Sequence, residues 1–163
     1  MLDATALDKA IEGATYVVHT ASPVIMSTDE DALVKPAVEG TMAVLQAAHK
    51  HRVKRLVITS SMAAVMAMAQ QDKPDFSTGF YDEKCWSNPS RPEGIWAYSK
   101  GKTLAEKAAW DFQQSLPEEE RFELVTICPS FVVGPALIPG GFAGSNAIAR
   151  YFDGSVSEVG TGV

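Results

Sequence analysis

The chain has 163 residues, of which 46% are hydrophobic and 21% charged, and its formal net charge is −6. The acidic balance disfavours nucleic acids and anionic membranes as partners, and no apolar run reaches the roughly 18 residues of a membrane-spanning helix. We find no secretory signal, and the isolated Cys85 and Cys128 have neither metal-site nor redox spacing. We therefore expect buried free thiols, no metal site and a cytoplasmic location.

Apolar runs alternate with helical patterns along the chain. Strands are predicted at residues 15–23, 53–61 and 122–130. Helices are predicted at residues 1–13, 29–52, 96–114 and 145–152. Residues 69–95 read as a long polar loop and residues 134–144 as a Gly/Pro-rich loop. This order predicts an α/β fold, a partial Rossmann-like doubly wound parallel sheet of central strands and helices.

The helix that begins near residue 96 carries Tyr98 and Lys102 four residues apart, on one face. A phenol titrates near roughly pH 10, and an ammonium one helical turn away favours the phenolate, which makes proton transfer easier at neutral pH. The preceding strand ends in Thr59, Ser60 and Ser61, at the edge where open α/β sheets bind ligands. A serine hydroxyl there can bind a carbonyl group. These groups suit proton transfer to a carbonyl oxygen while a cofactor supplies a hydride.

Five segments occur in a fixed order: VVHTASPV, RLVITSSMAAV, YDEKCW, YSKGKTLAEKAAWDF and PSFVVGP. Together they resemble the extended short-chain dehydrogenase/reductases of the NAD-dependent epimerase/dehydratase superfamily. The branch they resemble contains dihydroflavonol reductases, cinnamoyl-CoA reductases and fungal carbonyl or methylglyoxal reductases. The resemblance covers nearly the whole chain. It implies an oxidoreductase that reduces a small-molecule aldehyde or ketone to an alcohol, with NADP favoured over NAD as cofactor.

The resemblance also implies a role for each matched position. Tyr98 corresponds to the general acid/base, and Lys102 to the lysine that tunes it and holds the nicotinamide ribose. Ser61 corresponds to the serine that binds the carbonyl, with Ser60 as its competitor. Besides Tyr98 and Lys102, the positions expected to contact the cofactor are Thr20, Ala21, Ser22, Pro129, Ser130, Phe131, Val132 and Ser145.

The sequence lacks the family's Gly-x-x-Gly-x-x-Gly turn and the strand end that selects NAD or NADP. We therefore expect residues 1–163 to be the central and C-terminal part of a dinucleotide-binding domain, without the N-terminal glycine-rich βαβ unit and most of the substrate lobe. Two alternatives stay open, a sugar-nucleotide epimerase or dehydratase of the same fold and a non-catalytic truncated product that only binds a partner. The sequence leaves the substrate's identity and the oligomeric state open.

Three further side chains have a structural interpretation. Lys100 is expected to be solvated, and His19 is expected to be a hydrogen-bonded core histidine rather than a catalyst. Trp86 lies in the long loop, where packing and substrate contact are equally plausible functions of an aromatic ring.

Overall fold

The computed structural model describes residues 3–22, 29–66, 81–90, 97–135, 148–150 and 152–155. The strands are β1 (Tyr16–His19), β2 (Arg55–Thr59) and β3 (Glu123–Ile127), and the helices are α1 (Ala4–Ile11), α2 (Glu30–Lys50), α3 (Ala63–Met66) and α4 (Ala97–Ser115), with a 3₁₀ turn at Glu118–Glu120. The chain forms two compact units, Met1–Cys128 and Pro129–Val163. All these elements lie in the first unit.

Aspartates start the first two helices, near the positions that the sequence predicts. The Asp3 carboxylate accepts the Ala6 N–H at 3.0 Å, and the Asp29 carboxylate accepts the Asp31 N–H at the same distance. Each bond satisfies a backbone donor that has no partner within its helix. α4 ends two residues before Pro117, which lacks the N–H that a continuing helix would need.

The three strands form a parallel sheet in the order β1-β2-β3. One face of the sheet presents Leu56, Ile58 and Leu124 to a shared core with α1, α2 and α4. On the opposite face Val18 is 65% exposed and Ile127 is 53% exposed. The predicted α/β fold with a parallel sheet is confirmed. In the described part of the chain, helices cover one face of that sheet.

The two long helices pack against each other at Gly101 in α4. A Cβ atom added there would lie 3.4 Å from the Leu33 carbonyl oxygen and 3.6 Å from the Ala37 Cβ atom of α2. Beside this contact, the Lys100 ammonium pairs with the Glu30 carboxylate at 2.5 Å. Lys100, predicted to be solvated, is therefore partly exposed and also ion-paired. The pairing residue is 70 positions away in the sequence, so local spacing gave no sign of it.

Other predictions fall partly outside the described residues. Within the predicted loop 69–95, residues 81–90 are described and form neither helix nor strand. Within the predicted helix 145–152, residues 148–150 and 152 are helical. The short helix α3 was not predicted from the sequence. Among the helices of the described ranges, none is both long and apolar enough to cross a membrane.

Candidate active site

Tyr98 and Lys102 meet on the first two turns of α4, as their spacing predicts. Tyr98 is half-buried, and the Lys102 ammonium lies 5.9 Å from the centre of its ring. The same ammonium donates a hydrogen bond to the Thr59 carbonyl oxygen at 3.1 Å. Lys102 therefore links the tyrosine on α4 to the carboxyl end of β2.

The Lys102 side chain is charged in a place where water is scarce, since the residue is only 7% exposed. Burial lowers the pKa of Lys102, while the neighbouring Cys128 and Glu106 raise it and offset part of that effect. His19 on β1 is half-buried, and burial and the nearby Lys102 both lower the pKa of its imidazole. The neutral form of this histidine is thus favoured, but the residue is half-buried rather than part of the core, so the predicted core position is not confirmed.

Ser60 and Ser61 follow β2 and make different hydrogen bonds. The Ser60 hydroxyl donates to the Glu106 carboxylate, whereas the Ser61 hydroxyl oxygen accepts the Ala63 N–H at 3.1 Å, at the start of α3. Both serines are buried. Because the proton of Ser60 is committed to a carboxylate, the structure favours Ser61 over Ser60 as a donor to a carbonyl oxygen.

Some of the residues expected to contact the cofactor lie beside Lys102. Ala21 and Ser22, which follow β1, line one small cavity together with Lys102 and Ser60. Thr20 precedes them and is exposed. Small side chains that leave the backbone accessible, a hydroxyl group and a buried ammonium are chemically suited to the hydroxyl groups of a ribose. The cavity itself measures only about 10 Å³, room for about one water molecule, so contact of these residues with a ribose stays a prediction.

The other residues expected to contact the cofactor belong to the second compact unit, Pro129–Val163. Pro129, Ser130, Phe131 and Val132 begin the second compact unit, in which Phe131 and Val132 are 58% and 61% exposed. Ser145 lies outside the described residues. The roles assigned to these five residues therefore stay predictions.

A larger cavity of about 920 Å³ lies along the outer side of α4. Its walls include Met62, Met66, Trp86 and Trp110. The Lys107 ammonium lies 5.2 Å from the centre of the Trp86 ring, so this indole both packs against α4 and faces the cavity.

The two cysteines are free, as predicted, but they differ in exposure. Cys85 is buried, whereas Cys128 is exposed. The prediction of a buried residue is therefore wrong for Cys128, which directly follows the edge strand β3.

Glu106 is a member of the site that sequence reasoning missed. It lies one turn beyond Lys102 on α4, is 6% exposed and accepts the hydroxyl of Ser60. The pattern contained a signal, because Tyr98, Lys102 and Glu106 repeat every four residues and so share a helix face. A polar stripe on a helix that also has to pack against a sheet indicates buried polar contacts.

Comparison with known proteins matches this arrangement to a family. The sequence profile of the 3-beta hydroxysteroid dehydrogenase/isomerase family matches residues 1–137. The chain belongs to this family. The resemblance to reductases of the dihydroflavonol and cinnamoyl-CoA type is confirmed by individual relatives.

The chain is 34% identical over 138 residues to dihydroflavonol 4-reductase of Medicago sativa, covering 81% of this chain and 59% of the relative. It is 39% identical over 155 residues to cinnamoyl-CoA reductase 1 of Arabidopsis thaliana, covering 94% of this chain and 42% of the relative. The crystal structure of the yeast methylglyoxal/isovaleraldehyde reductase Gre2, complexed with NADPH, matches with a TM-score of 0.67 and 34% identity over 85% of this chain and 43% of that protein. The chain therefore spans about half of the length of the family members it matches.

Proposed function

We propose that these residues form the central part of an NADPH-dependent oxidoreductase that reduces an aldehyde or ketone to an alcohol. The contact of the Lys102 ammonium with both the Tyr98 ring and the Thr59 carbonyl oxygen carries the proposal. It places a cation beside a phenol at the carboxyl edge of a parallel sheet, where ligands bind in this class of fold. The likeness to a yeast reductase complexed with NADPH supports this choice of cofactor.

The chemistry divides among three side chains. NADPH, when bound, supplies a hydride for the carbonyl carbon. The Tyr98 hydroxyl gives its proton to the carbonyl oxygen, so the product is a neutral alcohol and the phenolate is reprotonated from solvent. The Lys102 ammonium stabilises that phenolate, and the Ser61 hydroxyl donates a hydrogen bond that orients the carbonyl and stabilises its developing charge.

Holding the dinucleotide requires more residues than these. Thr20, Ala21, Ser22 and Lys102 would hold the nicotinamide ribose and the adjoining phosphates. The stretch from Pro129 to Val132 would contact the nicotinamide amide, and Ser145 a phosphate. We further propose that the glycine-rich βαβ unit for the pyrophosphate lies outside these 163 residues. The 163-residue chain alone should therefore bind NADPH weakly or not at all.

Turnover by the full-length protein that carries this segment tests the proposal. Aldehydes and ketones, including methylglyoxal and isovaleraldehyde, are screened for NADPH oxidation, and the best substrate is used to compare variants. We expect Tyr98→Phe to lower kcat by about 10²- to 10⁴-fold, because the general acid is lost, while the Kd for NADPH changes little. Tyr16→Phe is the matched control, since that phenol lies on the exposed face of the sheet.

Two results would contradict the proposal. A Tyr98→Phe variant that retains more than about a tenth of wild-type turnover would exclude Tyr98 as the acid, since such groups contribute at least about 10²-fold. Absence of NADPH oxidation with every carbonyl compound would instead favour the non-catalytic alternative.

A further inference from the structure

Glu106 is a buried carboxylate that receives hydrogen bonds from three elements of the fold. The Ser60 hydroxyl reaches it from the end of β2, and the Cys128 thiol reaches it from the end of β3 at 3.6 Å. The Trp110 indole N–H approaches it from the next turn of α4 at 3.4 Å. A carboxylate excluded from water is costly unless donors surround it, and here both strand ends and the helix supply them.

The same carboxylate lies one helical turn from Lys102, and both residues are less than 10% exposed, at 6% and 7%. Burial lowers the pKa of the Lys102 ammonium, and Cys128 and Glu106 act against that shift. Although the Cys128 residue is exposed as a whole, its sulfur lies against Glu106 in a partly buried contact, and this burial and then the charge of Glu106 raise the pKa of the thiol. Glu106 thus favours the charged form of the lysine and the neutral form of the cysteine.

The titratable groups around this pair come from several of the described elements. His19 approaches from β1, Cys128 from β3 and Tyr98 from α4 itself. The residues that α2 contributes to the smaller cavity, Ala37 and Thr41, are neutral. Glu106 also lines the larger cavity, whose charged residues are Asp82, Glu83, Lys107 and Asp111.

We propose that Glu106 is a positioning residue of the active site: it ties the ends of β2 and β3 to α4 and places a carboxylate one helical turn from Lys102, on the helix face that also carries Tyr98. The inference rests on the proposed function, because a charged Lys102 matters to the reaction through its effect on the acidity of the Tyr98 hydroxyl group. Glu106 also holds Ser60 at the end of β2, and Ser61 is the next residue along the chain.

The 163-residue chain itself provides the test, without cofactor or substrate. In Glu106→Gln, the amide keeps a hydrogen-bonding oxygen and removes the charge. Circular dichroism first verifies that the protein is folded. The titration of Cys128 is followed as the rate of its alkylation by iodoacetamide against pH, quantified by peptide mass spectrometry. The titration of the Lys102 side chain is followed by NMR. We expect both midpoints to move to lower pH, and Cys128 alkylation at pH 8 to become at least about twofold faster because more thiolate is present. Glu119→Gln, at an exposed carboxylate on the 3₁₀ turn after α4, should leave both midpoints unchanged.

Glu106→Asp keeps the test decisive if the glutamine variant does not fold. The aspartate retains the charge, so both midpoints should stay near their wild-type positions. Unchanged midpoints in Glu106→Gln, or an equally large fall in Glu106→Asp, would overturn the inference. Since neither titration involves turnover, a protein that passes them and fails to reduce any carbonyl compound would refute the proposed function alone.

Discussion

The two halves of α4 bury different kinds of side chain. From Ala97 to Glu106 the helix buries a lysine, a threonine and a glutamate, whereas beyond Glu106 its fully buried residue is Ala109. Trp110 and Phe112 in the second half pack against the apolar core. Burial of apolar side chains, as in the second half of α4, is sufficient to attach a helix to a sheet. Burial of charges in the first half costs free energy unless partners are present, and this is the half to which we assign the proposed chemistry.

The largest effect on folding is expected in the second half. Ala109 is fully buried in the core shared by α2, β2 and β3, so Ala109→Leu should lower the free energy of unfolding by about 1–3 kcal/mol through overpacking. Urea unfolding of the 163-residue chain measures this. Gln114→Leu on the exposed side of the same helix is the control. A loss no greater than that of the control would show that the second half of α4 is not a packing element.

The pH dependence of stability should reside in the first half. Because burial lowers the pKa of Lys102 below its ordinary value of 10.5, the unfolded chain binds more protons than the folded chain between these two pKa values. Stability contributed by this residue therefore rises with pH through that alkaline window and is lowest beneath it. We expect wild type to gain stability relative to Lys102→Met as the pH is raised toward 10.5, in urea unfolding at matched pH values.

The control for this comparison is Lys35→Met, whose ammonium is exposed on α2. It should show no such trend against wild type. A stability difference between wild type and Lys102→Met that is constant over the alkaline range would mean that the ammonium is solvated in the folded chain.

The smallest effects are expected at two glycines with different constraints. Gly101 contacts α2 at ordinary van der Waals distances, so Gly101→Ala should raise the free energy of unfolding by up to about 1 kcal/mol through better helix propensity. Gly13 has a φ of +74° and open space around it, so Gly13→Ala should lower the free energy of unfolding by about 1 kcal/mol. Denaturant unfolding measures both changes. If the two substitutions shifted the free energy of unfolding in the same direction, the close but unstrained contact between α2 and α4 would be contradicted.

Much of the fold followed from local patterns in the sequence. The strands were predicted because β-branched and apolar runs have few other uses, and α2 because acidic and basic residues mark its two ends. The shared helix face of Tyr98 and Lys102 followed from their spacing, whereas the roles predicted for them came from their context and from the family resemblance. Such signals act within about one helical turn, so the sequence displays them directly.

The features that were missed depend on contacts between distant segments. A glutamate four residues after a lysine usually forms an exposed ion pair on a helix surface. In the fold, Ser60 and Cys128 reach Glu106 from the ends of β2 and β3. The pairing of Lys100 with Glu30 joins two helices. The exposed position of Cys128 reflects an edge strand, and strand order cannot be derived from a hydrophobic run. Spacing therefore placed Tyr98 and Lys102 on one helix face, while the contacts that support them required the fold.

A double-mutant cycle on Tyr98 and Lys102, measured as kcat in the full-length protein, tests the central claim most directly. If the two residues act as one proton-transfer unit, the double variant Tyr98→Phe/Lys102→Met should lie within about threefold of the slower single variant, since residues that act together lose their effect together. Losses that multiply across the two substitutions would show that the phenol and the ammonium act independently and would contradict the pair.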